Sequence, residues 1–508
     1  QHYTQAVPLV GAAKAIEYTT KAGHEAVADL ALEDAVAYFE RALHLLEEHA
    51  PADVNERVEL LTDLAEVLIF VDETAGVHAA LRAVDVAQAN GSPEQFGRAV
   101  AAFAEPISGV LLYPNRVEKL LDEAQQELGD DHPSLRARLM AIEAFKYSAY
   151  QLQGRDGRVL ADRAVQLARD VADAPTLTAA LFARAISLES TAQITERLAL
   201  GEELVALGRA AGSRAAMATA QGLRVLAGVH LELSDAPSLS STIAELAHTG
   251  EALRWLPAFV FAAQWRATQA LLEGRFNDVR AYWNDMRQYS RAYRAVAGME
   301  AQQAYYLARE EGDLAALRGP LAQMVTASSE SLYVPAMLAV ARLDTADEGT
   351  ALRTLDSLTA DDLRRDETES AWGAVLALLA EVAARGESKS QAALLYDFLA
   401  PFAGRLLATV IGLACLGAAE RYQGMLATTL ERWDDAEAHF ERALDLEQRI
   451  RGRALLPRTR YWQAQFLRAR ARPGDDRTAR ALLEGVVKDT RGLGMRRLGE
   501  QAEELLAQ

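Results

Sequence analysis

The segment Trp433-Asp-Asp-Ala-Glu-Ala-His-Phe-Glu-Arg-Ala-Leu-Asp-Leu446 reappears in nearly the same form close to the other end of the chain, as Leu32-Glu-Asp-Ala-Val-Ala-Tyr-Phe-Glu-Arg-Ala-Leu-His-Leu45. In each copy a small residue is followed four residues later by phenylalanine and seven residues later by alanine. These positions are Ala35, Phe39 and Ala42 in the first copy and Ala436, Phe440 and Ala443 in the second. Spacings of four and seven place the three side chains on one stripe of a helix. The two distant copies indicate an internal repeat.

The same pattern of small or apolar residues recurs between the two copies at a nearly constant period. Its first positions are Ala35, Gly76, Val117, Gly157, Leu198, Leu239, Val279, Ala315, Ala351, Ala392, Ala436 and Ala479, separated by 41, 41, 40, 41, 41, 40, 36, 36, 41, 44 and 43 residues. Some copies are eroded, and Leu198 with Glu202 and Val205 is the clearest example. A period near 40 residues indicates helix pairs stacked into a solenoid.

The repeat period and the amino-acid sequence of the best copies together predict the fold class. We expect an all-α solenoid of about twelve tetratricopeptide-like helix pairs, in which the repeated stripe belongs to the second helix of each pair. HEAT repeats share this period, but the phenylalanine and alanine positions favour the tetratricopeptide alternative. Residues 1–31 are expected to form an opening helical region and residues 32–508 one continuous superhelix. Because each pair should contact only its neighbours, the molecule is expected to be elongated.

The composition supports helix along the whole length. The chain has 508 residues, half of them hydrophobic, and no linker rich in glycine, serine or proline divides it. Apolar residues do not alternate with a period of two, so strands are not expected. No apolar run approaches the roughly 20 residues that cross a bilayer, and the chain does not open with a signal peptide. We therefore expect a cytoplasmic protein without membrane contact.

Metal, cofactor and redox chemistry have little support in the sequence. The single cysteine, Cys415, lies in an apolar run and is expected to be a buried, inert thiol. The nine histidines are scattered and form no metal-binding spacing. Gly386-Glu-Ser-Lys-Ser390 lacks the glycines of a phosphate-binding loop. No catalytic motif is present, so the prediction is a non-enzymatic chain with no cofactor and no metal.

Charge is distributed unevenly. The formal net charge is −19, which argues against nucleic-acid binding by the chain as a whole. From Arg449 to the end, however, 14 lysine and arginine residues face 7 aspartate and glutamate residues, a local charge of +7. This end could contact an acidic partner or a nucleic acid, but solvated arginine faces explain it more simply. Direct nucleic-acid binding is therefore not expected.

Aromatic residues concentrate between Trp255 and Tyr306, where about one residue in five is aromatic and arginines are interleaved. Inter-helix packing is one explanation for these aromatic residues as a group, and it is the expected role of Trp283, which occupies the aromatic position after Val279. Tyrosine and arginine are also enriched at binding surfaces. The hypothesis is that an effector or partner binds around pairs seven and eight. The candidate binding residues are Gln264, Trp265, Thr268, Tyr289, Tyr293 and Tyr305.

Several segments resemble the C-terminal helical-repeat region of large bacterial STAND-type regulators, which include LuxR-type ATP-binding transcriptional activators and multidomain nucleotide cyclases. The segments are Trp372 with Leu376, Leu379 and Ala380; Leu394 to Arg405; Gly417-Ala418; Arg421-Tyr422; Gly424; the Trp433 copy; and Leu493-Gly-Met495. Near the other end, His2-Tyr3, Lys14-Ala15, Tyr18 and Ala22-Gly23 are similar to the segment that follows the NTPase and winged-helix domains of those proteins.

This resemblance implies a sensor region whose upstream NTPase module and output domain lie outside the chain. The resemblance also implies that the first helices of the pairs line the concave face. Such a region would bind a protein partner or a small-molecule effector on that face and control ATPase and transcription-type output in signal transduction. The alternative is a constitutive scaffold that holds partner peptides. An upstream Walker motif in the full gene would favour the sensor hypothesis, and a gene that encodes only this chain would favour the scaffold hypothesis.

Overall fold

The computed structural model describes residues 11–105, 114–149, 156–189, 193–211, 216–253, 256–290, 295–327, 331–345, 347–366 and 371–508. Within these residues the chain forms helix pairs in sequence order. The first six pairs are α1 (Ala12–Ala28) with α2 (Leu32–His49), α3 (Val54–Leu68) with α4 (Glu73–Asn90), α5 (Pro93–Ala104) with α6 (Pro114–Leu128), α7 (Pro133–Ala149) with α8 (Gly157–Val171), α9 (Ala174–Ser187) with α10 (Ile194–Ala211), and α11 (Ala216–Glu232) with α12 (Ala236–Leu253).

The remaining described residues continue the solenoid to a total of twelve pairs. They are α13 (Leu256–Glu273) with α14 (Phe276–Arg287), α15 (Ala295–Glu311) with the turn Leu314–Leu317 and α16 (Arg318–Ala327), α17 (Tyr333–Asp344) with α18 (Glu348–Asp356), α20 (Trp372–Arg385) with α21 (Lys389–Leu399), α22 (Ala419–Thr429) with α23 (Trp433–Arg449), and α24 (Leu455–Arg470) with α25 (Asp475–Leu493). The additional short helix α19 (Ala360–Asp366) precedes α20, and α26 (Arg496–Ala507) follows α25. The all-α solenoid of about twelve pairs is thereby confirmed.

Helix starts and turns repeat along the chain with the period of the pairs. Several helices begin at a side-chain cap: Asp53 accepts from the Glu56 backbone N–H, and Ser92 with Gln95 forms a capping box. The residue five positions before the repeated small residue adopts positive φ in six pairs, at Leu30, Ser234, Gly274, Glu387, Glu431 and Gly474. One left-handed residue therefore reverses the chain at the same point of each of these pairs.

The repeated stripe lies between the two helices of a pair. Phe39 and Phe440 are completely buried. Each ring packs on a glycine of the preceding helix: a Cβ at Gly23 would lie 2.7 Å from Phe39, and one at Gly424 would lie 3.0 Å from Phe440. A glycine 16 residues before the phenylalanine thus makes room for its ring in both copies. Helix α1, in the predicted opening region, is accordingly the first helix of the first pair.

Two of the twelve predicted repeat positions are wrong by one residue. Leu198 is only half-buried, and the preceding Arg197 occupies the inner position with 1% exposure. Ala315 is exposed, and Leu314 is the buried residue. The repeat pattern consists of small or apolar residues and so does not include Arg197. A buried arginine is tolerated at this position because carboxylates pair with it.

A short antiparallel hairpin interrupts the helices between pairs ten and eleven, although strands were not expected. Its strands are β1 (Leu406–Ala408) and β2 (Cys415–Ala418), with Leu406 opposite Ala418. We call residues 403–418 the plug. Leu406, Leu407 and Leu413 of the plug are nearly inaccessible to solvent. The plug belongs to the large hydrophobic core that extends from Val205 to Ala502.

Contacts also join pairs that are far apart in sequence, which corrects the expectation that each pair touches only its neighbours. The Arg458 guanidinium donates to both oxygens of Glu310 at 2.8 Å, across 148 residues. Arg496 donates to Asp313 at 2.6 Å, and the Ala454 backbone N–H donates to the Leu272 carbonyl at 2.9 Å. Pairs seven and eight therefore pack directly against pair twelve, and this half of the solenoid closes on itself.

Two further sequence predictions concern the membrane and the cysteine. Across the described ranges, none of the helices has both the length and the apolar character needed to span a bilayer. Cys415 is partly buried, and desolvation raises its pKa to about 12. At neutral pH the thiol is protonated and a poor nucleophile, which agrees with the predicted inert thiol.

Candidate functional site: the inner face of the superhelix

The residues predicted to form the binding surface lie mostly in the protein interior. Gln264, Trp265 and Thr268 on α13 and Tyr305 on α15 are each at most 2% exposed. Tyr289 is partly buried and stacks on the Phe259 ring with centroids 6.5 Å apart. The remaining candidate, Tyr293, lies outside the described residues. These four buried residues therefore do not form the exposed binding surface that the sequence analysis predicted.

The plug covers this part of the inner face. Gln264 Nε2 donates to the Gly412 carbonyl at 3.2 Å, and Thr268 Oγ1 donates to the same oxygen at 2.9 Å. Gln303 Nε2, on α15, donates to the Leu413 carbonyl at 3.1 Å. The prediction placed Gln264 and Thr268 on the inner face of first helices, and both lie on α13 in contact with the plug. Their hydrogen-bonding groups are used by the plug, a segment of the same chain.

Trp265 and Tyr305 have packing roles in this region. The Trp265 indole lies so close to Gly412 that a Cβ on this glycine would overlap it. Gly412 also has a φ of +65°, so the site requires glycine for two reasons. The Tyr305 hydroxyl donates to the Met337 carbonyl at 2.9 Å and is buried there. Trp283, predicted to be a packing residue, is buried and donates to Gln303 Oε1 at 2.9 Å.

Buried charges fasten the base and the tip of the plug to pairs five and six. Glu232, at the end of α11, pairs with Arg405 of the plug and with Arg197 of α10, the latter at 2.5 Å. Burial opposes ionisation, but the two guanidinium groups hold the pKa of Glu232 below its usual range. Glu189 accepts from the Ile411 backbone N–H at 3.4 Å, and desolvation raises its pKa to about 7. None of these four charged residues was identified from the sequence.

The inner face of the first six pairs carries a large open groove with a volume of about 1170 Å³. Its lining comes almost entirely from the first helices of successive pairs and the turns beside them. Residues on its wall include His24, Asp63, Glu66, Phe70, Glu94, Arg98, Glu105, Asp131, Leu135, Arg138, Asp173, Thr176 and Met217. The groove lies at pairs one to six, whereas the sequence analysis placed the binding surface at pairs seven and eight.

The groove is acidic. Six carboxylates line it, from Asp63, Glu66, Glu94, Glu105, Asp131 and Asp173, against two guanidinium groups, from Arg98 and Arg138. With histidines neutral, the wall carries four negative charges in excess. A concave wall with one sign of charge focuses its potential and attracts ligands of the opposite sign.

Ion pairs run across the groove from helix to helix. His24 lies 2.8 Å from Asp63, which also accepts from Arg98 at 3.1 Å. Arg138 on α7 donates to Glu105, just after α5, at 2.7 Å and to Glu66 on α3 at 3.1 Å. Arg138 thus joins the second pair to the fourth, directly over the third. These side chains are about 13% to 56% exposed, so water and a ligand can reach them.

Apolar side chains separate the charged ones along the groove. Ile69 and Phe70 follow α3, Leu135 begins α7, and Met217 begins α11; all are partly buried and face the groove. Flexible methionine and aromatic side chains adapt to the surface of a bound segment. The groove therefore offers alternating apolar and negatively charged contacts, which suits an extended or helical polypeptide more than a compact polar metabolite.

The described groove residues do not form a recognisable catalytic arrangement. Ser134 Oγ bonds to Asp173 at 3.1 Å and to Thr176 at 2.9 Å, and Asp173 caps the start of α9. These hydroxyls stabilise a helix start. Within the described ranges, no group of three or more His, Cys, Asp or Glu side chains is arranged to hold a metal ion.

Comparisons with known proteins do not assign the chain to a family. No protein-family model matches the chain, and no curated protein matches it in sequence. Among solved structures, yeast Tom70 aligns over 97% of this chain and 96% of its own length, with 12% identity and a TM-score of 0.29. A circular tandem repeat protein with novel repeat topology aligns over 96% and 97%, with 16% identity and a TM-score of 0.14. The chain's own helix pairs, and not these distant likenesses, establish it as an α-solenoid of tetratricopeptide-like repeats.

Proposed function

We propose that the groove of pairs one to six binds a polypeptide segment of a partner protein, and that the chain is the sensor and protein-interaction region of a STAND-type bacterial regulator. The observation that carries the binding role is the open groove of about 1170 Å³ on the inner face of six consecutive pairs. The regulator context rests on the resemblance of the repeat segments. The chain itself performs no chemistry in this proposal.

The plug supports the proposal by showing how this solenoid holds an irregular piece of chain. On pairs seven and eight, side-chain amides and a hydroxyl of first helices donate to plug carbonyls. A carboxylate on α11 receives an arginine from the plug. The same kinds of groups line the groove of pairs one to six but have no segment of the described chain upon them. A partner would use backbone contacts of this type together with side-chain pockets.

The proposal is tested by locating where peptides bind. The probe is an array of peptides of about 15 residues, a length that spans roughly 50 Å when extended and matches six first helices side by side. Bound peptides are expected to slow backbone hydrogen exchange in the six first helices that line the groove, α1, α3, α5, α7, α9 and α11. They should leave α13 and α15 unchanged, since the plug already covers those helices.

A matched pair of substitutions blocks the groove or spares it. Ala179 lines the groove on α9, and Ala179→Trp is expected to abolish peptide binding by filling it. Ala481 is exposed on α25, far along the chain from the groove, and Ala481→Trp should bind as the unmodified protein does. Peptides that protect other helices, or that bind Ala179→Trp undiminished, would place the site elsewhere.

A further inference from the structure

The carboxylates of the groove are already paired with arginines of the chain itself. Arg138 lies between Glu66 and Glu105, and Arg98 donates to Asp63. Arg138 is about 29% exposed on its side chain, and its two partners are 33% and 35% exposed. The guanidinium group thus sits on the groove wall at the position where a cation from outside would bind.

The same carboxylate-to-arginine contact holds the plug in the other half of the molecule. There Arg405 of the plug pairs with Glu232, the last residue of α11. At the plug, an irregular segment therefore presents an arginine to a carboxylate of a helix. In the groove, the carboxylates are paired with an arginine of the groove wall itself. The excess of four negative charges remains after the resident pairs are counted.

We infer that the segment bound by the groove is basic, and that its arginine or lysine side chains take the place of Arg138 between Glu66 and Glu105. This inference rests on the proposed function and specifies the partner. These ion pairs are partly exposed, and a solvent-accessible ion pair typically changes an equilibrium by no more than about fivefold, so exchanging one cation for another costs little. Leu135, Met217 and Phe70 supply the apolar contacts that a polyamine would not use.

Exchange at Arg138 also connects binding to the shape of the solenoid. Arg138 links α3 to α7 across the intervening pair, through residues 72 positions apart. When a partner cation occupies Glu66 and Glu105, this link opens and the second and fourth pairs lose a direct connection. Binding a basic segment is therefore expected to loosen the curvature of the first four pairs.

Isothermal titration calorimetry on the full chain tests the inference. The probes are two peptides of about 15 residues with leucine at the same alternate positions, one with arginine and the other with glutamate between them, and spermine as a polycation without apolar groups. The arginine peptide should bind, and more weakly at about 0.3 M than at about 0.05 M salt, because salt screens the charges. The glutamate peptide should not bind.

The decisive variant is Arg138→Gln, which frees both carboxylates and should bind the arginine peptide roughly three- to tenfold more tightly. The control is Arg169→Gln, which removes the same charge from an ion pair with Glu203 between second helices, away from the groove lining. Its affinity should be unchanged. Glu66→Gln, with Arg138 intact, should bind more weakly, and it provides a second measurement if Arg138→Gln does not fold.

Each other outcome overturns the inference. Arg138 does not occupy the site of a partner cation if two results are found together. Arg138→Gln would bind the arginine peptide no more tightly than Arg169→Gln does, and Glu66→Gln would bind it as tightly as the unmodified chain does. Spermine binding as tightly as the arginine peptide would identify a small polycation as the ligand. Binding of the glutamate peptide alone would refute the basic partner but leave the groove as a peptide site. Failure of every peptide, including those of the array, would remove the proposed function as well.

Discussion

Replacing Gly412 with alanine should detach the tip of the plug from α13. Gly412 has a φ of +65°, and a Cβ there would overlap the Trp265 ring. The left-handed conformation costs alanine about 1–2 kcal/mol, and forcing an extra carbon into a packed site costs about 1–3 kcal/mol more. The two contributions together lower the free energy of local opening by about 2–5 kcal/mol.

Gly404→Ala provides the matched control within the same plug. Gly404 has a φ of +80°, but nothing lies within 4 Å of the Cβ that alanine would add. Its cost should therefore be limited to the conformational part, about 1–2 kcal/mol. The difference between the two variants isolates the fit of the tip against Trp265, which amounts to about 1–3 kcal/mol.

Hydrogen exchange measured by mass spectrometry reports this difference locally, which suits a repeat protein that need not unfold in one step. Within the tip, the Thr409 N–H donates to the Ala414 carbonyl at 3.0 Å and the Gly412 N–H donates to the Thr409 carbonyl at 2.9 Å. These amides should exchange about 5- to 150-fold faster in Gly412→Ala than in Gly404→Ala. Equal rates in the two variants would mean that the tip does not pack on α13 as described.

Two further predictions concern buried charges. Desolvation raises the pKa of Glu189 from an ordinary value near 4.5 to about 7, so the protein should lose about 3 kcal/mol of stability as pH rises from roughly 4.5 to 7. Denaturant titrations across that range should show the loss, and Glu189→Gln should remove it; an unchanged slope in the variant would refute the assignment. Glu447 is fully buried against Arg421 and accepts from Thr459 Oγ1 at 2.6 Å, so Glu447→Gln leaves an unpaired buried guanidinium and should cost about 3–5 kcal/mol. The exposed Glu441→Gln on the same helix is the control, and equal denaturation midpoints for the two variants would contradict the pairing.

The solenoid could be predicted from the sequence because its determinants are local and repeated. Ala35 with Phe39, and Ala436 with Phe440, form the stripe that the spacing indicates, and the turn five residues earlier recurs with them. The predicted position was wrong where a charged residue took the inner place, as at Arg197. Its partner Glu232 lies 35 residues away, and no helical spacing connects the two.

The candidate site was harder to predict because contacts between residues far apart in sequence decide which pairs the plug covers and which pairs form the open groove. Gln264 and Thr268 were placed on the inner face, but the segment that covers them lies 144 to 148 residues further along the chain. The plug sequence is apolar like the helices around it, so composition does not distinguish it. Conversely, Arg98 and Arg138 look like ordinary helix-surface residues, and only the assembled inner face brings them among the carboxylates.

The contact between pair twelve and pairs seven and eight limits how this protein can change in length. In an open solenoid, a repeat can be gained or lost with little effect on distant repeats, because each repeat contacts only its nearest neighbours. Among the first four pairs, the link from Arg138 to Glu66 also skips a pair, but it is a partly exposed ion pair and its loss costs little. Between Gly274 and Ala454, however, one inserted pair would shift the partners of the bond from Ala454 to Leu272 by a whole unit, and a deletion would leave them out of reach. Duplication and loss of repeats should therefore be tolerated at one end of the chain and eliminated at the other.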